Sequence, residues 1–267
     1  MQGRVLIIAG SDSGGGAGIQ ADIKAVTCLN GFAMTAITAL TAQNTLGVTA
    51  IHDIPADFIK EQIRLVLSDL GADCLKTGML SQPSTINAIC EVLDELKMDI
   101  PMVVDPVMVA KGGASLLAME AVDALKKRLT PRAHVVTPNV PEAEALSGLS
   151  IVSQGDMAKA AEKIFALGPK AVLMKGGHLD EKGDVVTDYL FEADGNCYEF
   201  SGPRIHTAHT HGTGCTTASA IACGIAQGLS VKDAVERARA YVFEAIKTAP
   251  GFGQGHGPLN HAHTIKA

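Results

Sequence analysis

Short apolar runs recur along the chain, and they alternate with stretches of helix-like periodicity. The runs cover residues 5–9, 33–40, 74–79, 102–107, 134–139 and 171–177. Most of them are apolar at successive positions, as is typical of strands that are covered on both faces. Between them, apolar residues recur at helical spacing, for example behind Pro55 at Ile59, Ile63, Val66, Leu67 and Leu70. The pattern predicts βαβ units in an α/β fold, with a mostly parallel, doubly wound sheet flanked by helices.

The last third of the chain departs from this alternation. Residues 186–200 hold two apolar runs on either side of Asp194–Gly195, a turn pair, so we expect a small antiparallel hairpin. Two helices are predicted after it, over 215–228 and 231–247, the second opened by Ser230. No repeat, charge run or low-complexity linker interrupts the sequence, which predicts a single domain over residues 1–267.

Composition narrows the class of ligand. The 267 residues are 47% hydrophobic, enough for a full core, and carry a net charge of −6. That charge argues against a partner such as nucleic acid, and the absence of Trp with only 4% aromatic residues leaves little for stacking bases. A small polar substrate is expected instead.

Cysteine usage and the N-terminal run indicate the compartment. The six cysteines form no CxxC pair, which is typical of a protein in a reducing cytoplasm. The apolar run near the N-terminus is followed at once by SDSGGG, so it is too short for a signal peptide or a membrane span. We therefore expect a cytoplasmic protein that does not enter the membrane.

Two glycine-rich stretches lie at the ends of predicted elements, where α/β sheets bind ligands. The first, residues 10–18, has Gly-Ala where a Walker motif has Lys and Ser or Thr, and it also fails GxGxxG, which argues against a P-loop and against a flavin or nicotinamide oxidoreductase. Two interpretations fit this stretch. Its exposed backbone could lie against a flat ligand, with Asp12 and Asp22 nearby, or it could be an ordinary glycine turn between a strand and a helix. In the second, HGTGC at 211–215, successive N–H groups at a helix start predict an anion hole, with an ordinary helix cap as the alternative.

Three histidines precede the second stretch. The HxxHxH spacing of His206, His209 and His211 is compatible with zinc, but no fourth ligand is indicated and the histidines run directly into the glycines. We do not expect a zinc site there.

Seven segments of the chain, in their order, are similar to segments of one known family. They are IAGSDSGGGAGIQADIKA (8–25), ITALTAQNTLGV (37–48), LKTGML (75–80), VVDPVMVAKGG (103–113), VVTPNVPEAEAL (135–146), AVLMKGGH (171–178) and THGTGCTTASA (210–220). The chain resembles the ribokinase superfamily and, within it, the hydroxymethylpyrimidine kinase/phosphomethylpyrimidine kinase family of thiamine synthesis, with pyridoxal kinases as relatives. The resemblance implies a ribokinase-like fold and an enzyme that uses ATP and Mg²⁺ to phosphorylate 4-amino-5-hydroxymethyl-2-methylpyrimidine and then its monophosphate.

The resemblance also assigns the anion hole and a base. The anion hole would consist of Gly212, Thr213, Gly214 and Cys215. Sugar kinases of the superfamily have an aspartate base where this chain has Cys215, as the pyrimidine kinases do. Because a helix N-terminus lowers the pKa of a thiol, we expect Cys215 to accept the proton of the substrate hydroxyl, with a packed, unreactive thiol as the alternative.

Further residues are implied for the ligand pockets by the same resemblance. Those implied for the pyrimidine are Gly10, Asp22, Gln43, Met79 and Val107. Those implied for ATP are Asn139, Lys175 and Thr210, together with Gly212 and Gly214. Asp105 and Glu142 would hold Mg²⁺, which prefers such oxygen ligands, and the segment 111–113 is a candidate lid.

Other interpretations of the function stay open at this point. Within the same class, the chain could phosphorylate pyridoxal or pyridoxine, alone or in addition, although TAQNT around Gln43 favours the pyrimidine. From another class, a catalytically dead protein that binds a nucleotide or a vitamin precursor would keep the fold, but retention of Asp105, Asn139, Glu142 and Lys175 argues against it. Because the relatives are commonly dimers, the resemblance implies a homodimer.

Overall fold

The computed structural model describes residues 2–109, 113, 116, 118–179 and 183–265. Within these residues nine strands form one sheet, in the order β3-β2-β1-β4-β5-β6-β7-β8-β9. The strands are β1 (Arg4–Asp12), β2 (Phe32–Asn44), β3 (Gly47–Asp53), β4 (Cys74–Thr77), β5 (Met102–Val104), β6 (Val135–Val136), β7 (Ala171–Met174), β8 (Val185–Glu192) and β9 (Cys197–Pro203). All neighbours from β2 to β7 are parallel, whereas β3, β8 and β9 pair antiparallel.

Helices cover both faces of the sheet. In the described part of the chain they are α1 (Gly18–Cys28), α2 (Ala56–Asp69), α3 (Pro83–Leu96), α4 (Met119–Ala124), α5 (Val140–Ser147), α6 (Gln154–Phe165), α7 (Thr213–Ala226) and α8 (Val231–Lys247). A π-helical turn, Leu125–Leu129, continues α4. No helix in the described ranges combines the length and hydropathy needed to cross a membrane.

The side chains of β1 show why both faces must be covered. Leu6 and Ile8 lie in one hydrophobic core, while Val5 and Ile7 lie in another, and all four are fully buried. The first core is closed by side chains of α2, α3, α5 and α6, and the second by those of α1, α7 and α8. A parallel sheet buried in this way needs apolar residues at successive positions, which is the pattern in the sequence. The predicted architecture is confirmed.

Each edge of the sheet ends in an antiparallel hairpin. The hairpin predicted over 186–200 is formed by β8 and β9. At the opposite edge β2 runs on to Asn44 and turns back into β3, a strand that the apolar pattern did not predict. The Asn44 side chain stabilises that turn, because its Oδ1 accepts the N–H groups of Leu46 (2.9 Å) and Gly47 (3.3 Å).

The helix α7 lies unusually close to its neighbours because its residues are small. Ala218, Ala220 and Ala222 are fully buried. A Cβ added at Gly224 would lie 2.8 Å from the Cβ of Ala234 in α8, so glycine is required for this approach. The helix also contacts β1, β4 and β5, which places its first turn near the carboxyl ends of central strands.

The order of the strands reverses at β1. From β1 the chain passes to β2 on one side and later returns to β4 on the other. In open parallel sheets, ligands bind in the crevice outside the carboxyl ends of the strands at such a reversal. The topology therefore predicts a site between the end of β1, residues 10–18, and the end of β4, residues 77–80.

Candidate active site

The first turn of α7 is shaped by the close approach of two glycine segments. Gly212 is the N-cap residue, and its φ of +84° lies in the left-handed region that glycine adopts without strain. A Cβ at Gly212 would collide with the carbonyl oxygen of Gly16, and a Cβ at Gly16 would meet the ring of His211. The two stretches considered separately as phosphate-binding loops therefore lie in direct contact.

This turn leaves two backbone N–H groups free. Thr213 N–H donates to the carbonyl oxygen of Thr210 (3.3 Å), and Thr216 N–H donates to that of the N-cap residue (2.9 Å). The N–H groups of Gly214 and Cys215 have no intrahelical acceptor, and neither donates to a backbone carbonyl elsewhere in the described chain. Because α7 begins at Thr213, two residues before the predicted start, both groups belong to the helix and gain from its dipole. This is the geometry of an anion-binding helix N-terminus.

A lysine and two carboxylates lie beside this turn. Lys175 Nζ is 3.0 Å from Asp105 Oδ1 and 3.9 Å from Glu142 Oε2. A Cβ at Gly214 would lie 3.4 Å from Lys175 Nζ and 3.7 Å from Asp105 Oδ2. The residues predicted to bind ATP and Mg²⁺ are thus brought together at the helix N-terminus. Most of the candidate lid over 111–113 lies outside the described residues.

The NxxE motif is a capping box at the start of α5. Asn139 Oδ1 accepts the N–H of Glu142 (2.9 Å), and Glu142 Oε2 accepts the N–H of Asn139 (2.8 Å). Burial raises the pKa of Glu142 to about 7, although the charge of Lys175 opposes this. Burial alone would lower the pKa of Lys175, but Asp105 and Glu142 raise it above its ordinary value. The lysine therefore stays charged at neutral pH.

The carboxylate of Asp12 organises the first glycine stretch. Its Oδ1 accepts the N–H of Gly14 (2.8 Å), and its Oδ2 accepts the N–H groups of Gly16 (3.0 Å) and Ala17 (2.8 Å). His211 Nε2 lies 2.9 Å from the same Oδ2. Burial alone would raise the pKa of Asp12, but these hydrogen bonds outweigh it and lower the pKa. An ionised carboxylate therefore joins the first glycine stretch to the residue before the α7 cap.

The crevice at the strand reversal is lined by three elements. A Cβ at Gly10 of β1 would lie 3.1 Å from Met79 Sδ after β4, so the glycine keeps a narrow space open. Gln43 lies near the end of β2 with its side-chain amide beside His211. Val107, just beyond β5, is partly exposed. Binding of a ring by these residues stays a prediction.

Asp22 has a different environment from the one expected of a ligand-binding group. Its side chain is fully buried, and Lys76 Nζ lies 2.8 Å from each of its carboxylate oxygens. The hydroxyl of Ser219 on α7 also donates to Asp22 Oδ1 (2.7 Å). The structure makes Asp22 the counter-ion of Lys76. Direct contact of Asp22 with a pyrimidine, as the resemblance implied, stays a prediction.

The expected low pKa of Cys215 was wrong for this structure. Burial raises the pKa of the thiol to about 12. The charge of Lys76 and a hydrogen bond from Gly18 N–H lower the pKa, whereas Asp22 and Asp105 raise it further. The thiol form therefore predominates at neutral pH.

Sequence reasoning missed two side chains of the site, Lys76 and His211. A signal existed for Lys76, because a lone lysine in a strand buried on both faces needs a buried counter-ion. The side chain of His211 was considered as part of a zinc motif, and its position as the first residue of the second glycine stretch. In the structure its side chain bonds to Asp12, while His206 Nε2 lies 3.4 Å from Asp184. In the part of the chain that is described, no three His, Cys, Asp or Glu side chains are arranged to hold a metal ion by themselves.

Phosphoryl transfer needs little covalent chemistry from the protein. It requires N–H donors and cations around the phosphoryl group that is transferred, next to a pocket for the acceptor. The ends of β1, β4, β5 and β7 meet these requirements, so the fold and the site define a kinase of small molecules. Comparison with known proteins narrows this class, because a model of the phosphomethylpyrimidine kinase family matches residues 12–260. The chain belongs to this family, and the resemblance stated from the seven segments is confirmed.

Individual relatives agree with this assignment. The hydroxymethylpyrimidine/phosphomethylpyrimidine kinase of Bacillus subtilis (strain 168) is 49% identical over 97% of this chain and 94% of its own length. The thiamine biosynthesis bifunctional protein ThiED of Geobacter sulfurreducens is 52% identical over 97% of this chain, which spans only 52% of that protein. The solved structure of the pyridoxal kinase from Staphylococcus aureus in complex with ADP matches with a TM-score of 0.90 at 36% identity, and the match covers 100% of this chain and 96% of that one.

The buried ion pair leads to a prediction about stability. Lys76→Met leaves Asp22 buried without its counter-ion, which should lower the free energy of unfolding by about 3–5 kcal/mol in urea titrations. The double variant Lys76→Met/Asp22→Leu removes both charges and should recover most of that loss. As a matched control, Lys127→Met removes the exposed pair with Asp123 and should change stability by less than about 1 kcal/mol. A double variant no more stable than Lys76→Met would contradict this account.

Proposed function

We propose that this chain transfers the γ-phosphoryl group of ATP to the hydroxymethyl group of 4-amino-5-hydroxymethyl-2-methylpyrimidine, and then phosphorylates the monophosphate to the diphosphate. The main support for this proposal is the pair of free N–H groups of Gly214 and Cys215, which lie beside Lys175 and close to the crevice at the end of β1. This arrangement supplies an anion site and a narrow space for a ring. The family and the names of the relatives support the choice of acceptor.

The anion site would act on the phosphoryl group during its transfer. The N–H groups of Gly214 and Cys215 donate to its equatorial oxygens, where negative charge is spread in a loose transition state. Lys175 lies next to Gly214 and can exchange its contact with Asp105 for one with a phosphate oxygen. Because the two N–H groups are held in the first turn of α7 before any ligand binds, these donors need little reorganisation.

The carboxylates of Asp105 and Glu142 fit a Mg²⁺ ion bound with ATP. They are oxygen ligands, they are nearly buried, and they already share one cation in Lys175. Mg²⁺ is commonly held by one or two carboxylates, waters and the substrate phosphates, so two are sufficient. When bound, the ion would neutralise charge on the phosphates. Asn139 acts indirectly, because its side chain holds the backbone N–H of Glu142.

The ring of the substrate would lie in the crevice with its hydroxymethyl group toward α7. Gly10 and Met79 leave space for a flat ring, and Val107 lies just beyond the end of β5. The Gln43 amide can pair with the amino group and the neighbouring ring nitrogen of an aminopyrimidine. Asp22 would act on the site indirectly, by holding the charged side chain of Lys76 in place.

Cys215 is the proposed base for the hydroxyl proton. Its sulfur belongs to the first turn of α7, beside the N–H groups that would bind the phosphoryl group. Burial disfavours the thiolate, while the Lys76 charge and the Gly18 N–H favour it. A loose transition state places little charge on the attacking oxygen, so the demand on the base is modest.

Phosphorylation of pyridoxal is the second candidate. The close likeness to a pyridoxal kinase fold supports it, since that ring also carries a hydroxymethyl group. Gln43 and the higher identity to the pyrimidine kinases favour the pyrimidine as the main acceptor. A catalytically dead binding protein is disfavoured because Asp105, Glu142 and Lys175 are present and form one cluster.

We further propose a cytoplasmic homodimer. Large apolar side chains are exposed on β2, β3 and α2 at one edge of the sheet: Leu40 (44%), Ile51 (39%), Phe58 (60%) and Leu65 (59%). Among the described residues, no strand pairs with the outer side of the edge strand β3, and proteins usually cover such an edge. Sedimentation that finds only monomer at micromolar concentration would contradict the dimer.

Parallel assays of ATP consumption test the acceptor. With equal enzyme, we expect kcat/KM for the hydroxymethylpyrimidine to exceed that for pyridoxal or pyridoxine by about tenfold or more, because only the pyrimidine presents an edge that the Gln43 amide can pair with. Its monophosphate should also be turned over. No turnover of either pyrimidine, alongside rapid turnover of pyridoxal, would reverse the ranking.

Replacement of the thiol tests the base. If Cys215 accepts the proton, Cys215→Ala should lower kcat by about 100-fold or more with little change in KM. Because the pKa of Cys215 is about 12, the thiolate fraction and with it kcat should rise about tenfold per pH unit between pH 7 and 9, and the variant should lose this rise. Cys197→Ala, at an exposed cysteine of β9, is the matched control. A near wild-type rate for Cys215→Ala would leave the thiol as a packing group.

A further inference from the structure

His211 sits between the two glycine segments and the proposed ring pocket. Its side chain is only 12% exposed. The Nε2 atom of the His211 ring is 2.9 Å from Asp12 Oδ2 and 3.1 Å from the amide atom of Gln43 that is placed as nitrogen. The other amide atom of Gln43, which is placed as oxygen, is 3.2 Å from Thr41 Oγ1. One ring nitrogen therefore faces a carboxylate and an amide at once.

The carboxylate of Asp12 determines where the hydrogens lie between Asp12, His211 and Gln43. Asp12 accepts three backbone N–H groups and its pKa is lowered, so it is ionised and can only accept. The Nε2 of His211 must therefore carry a hydrogen, in either charge state of the ring. A ring nitrogen that carries a hydrogen has no lone pair in the ring plane, so it cannot accept a hydrogen bond from the Gln43 NH₂ group at 3.1 Å. The amide atom that faces His211 must therefore be the oxygen, which can share the N–H with Asp12.

The second half of the network leads to the same orientation. The hydroxyl of Thr41 donates its hydrogen to the carbonyl oxygen of Ser11 (3.0 Å), so toward Gln43 it can accept. Oxygen and nitrogen of a side-chain amide are alike in shape, and their assignment follows from the hydrogen bonds. Both neighbours are satisfied when the Gln43 oxygen faces His211 and its NH₂ group faces Thr41.

We propose that His211 is a positioning residue that sets the orientation of the Gln43 amide and thereby selects the hydrogen-bonding pattern of the ring. The proposal rests on the proposed function, in which Gln43 reads the edge of the pyrimidine. A 4-aminopyrimidine offers a donor, the amino group, beside an acceptor, the ring nitrogen N3. An amide in a fixed orientation matches this order, whereas a free amide can rotate to match the reverse order as well.

The 4-oxo analogue, 5-hydroxymethyl-2-methylpyrimidin-4-one, is the substrate that tests this point. Its N3–H donates and its 4-oxygen accepts, so its pattern is the reverse of the amino compound at nearly the same shape. The wild-type protein should prefer the amino compound in kcat/KM. His211→Phe keeps a flat ring but removes the N–H, and it should lower the amino-to-oxo preference on the order of tenfold, the value of one hydrogen bond.

Three companion variants separate positioning from a general structural role. His211→Gln retains an N–H that can reach Asp12, and it should keep most of the preference. In a Gln43→Ala background, His211→Phe should cause no further loss of preference, because the two residues act through one contact. His206→Phe changes an exposed histidine of the same segment and should leave the preference unchanged. An unchanged preference in His211→Phe, or an equal loss with and without Gln43, would overturn the proposal.

A measurement of the protonation of the histidine rings tests the proposal without relying on turnover. Two-bond ¹⁵N–¹H spectra of the histidine rings at about pH 8 should show His211 with its hydrogen on Nε2, assigned by its absence from the His211→Gln spectrum. A bare Nε2 with the hydrogen on Nδ1 would contradict the proposal whatever the enzyme phosphorylates. Lack of turnover of both pyrimidines, with the hydrogen on Nε2, would instead count against the proposed function alone.

Discussion

The carboxylate of Asp12 joins the two glycine segments from which the site is built. It accepts three N–H groups of the segment after β1, and it bonds to the histidine that precedes α7. Behind this contact, Gly212 and Gly16 approach so closely that neither position has room for a side chain. Since α7 is thereby tied to the end of β1, its free N–H groups come to lie beside Lys175 and Asp105. The geometry of the anion site follows from that attachment.

Two lysines lie near the same turn of α7, each paired with its own carboxylate; Lys76 is fully buried and Lys175 is partly buried. Lys175 is held by Asp105 next to Gly214. Lys76 is held by Asp22, and its positive charge lowers the pKa of the Cys215 thiol. Buried ion pairs are a poor way to gain stability, because desolvation offsets much of their attraction. In the proposed function, their value would lie in preorganised positive charge for a substrate that carries several negative charges. The same burial that strengthens these fields also raises the pKa of the Cys215 thiol.

The sequence predicted those features that depend on local pattern, and it failed where distant segments meet. Apolar runs located the six parallel strands because strands covered on both faces must be apolar at successive positions. The charge environment of Cys215 could not be read from a helix start alone, since burial by other elements decides it. The pairs Asp22–Lys76 and Asp12–His211 are separated by 54 and 199 residues, so no spacing rule connects them. The family resemblance named segments that the fold brings close together, but it did not show that Asp22 is held as a counter-ion.

A crystal structure with the hydroxymethylpyrimidine and a non-hydrolysable ATP analogue would show whether the first turn of α7 binds the phosphoryl group being transferred. We expect an oxygen of the terminal phosphate at about 3 Å from the N–H groups of Gly214 and Cys215, with Lys175 contacting the phosphate. A terminal phosphate bound elsewhere, for example only to the segment after β1, with the two N–H groups facing solvent, would contradict this expectation.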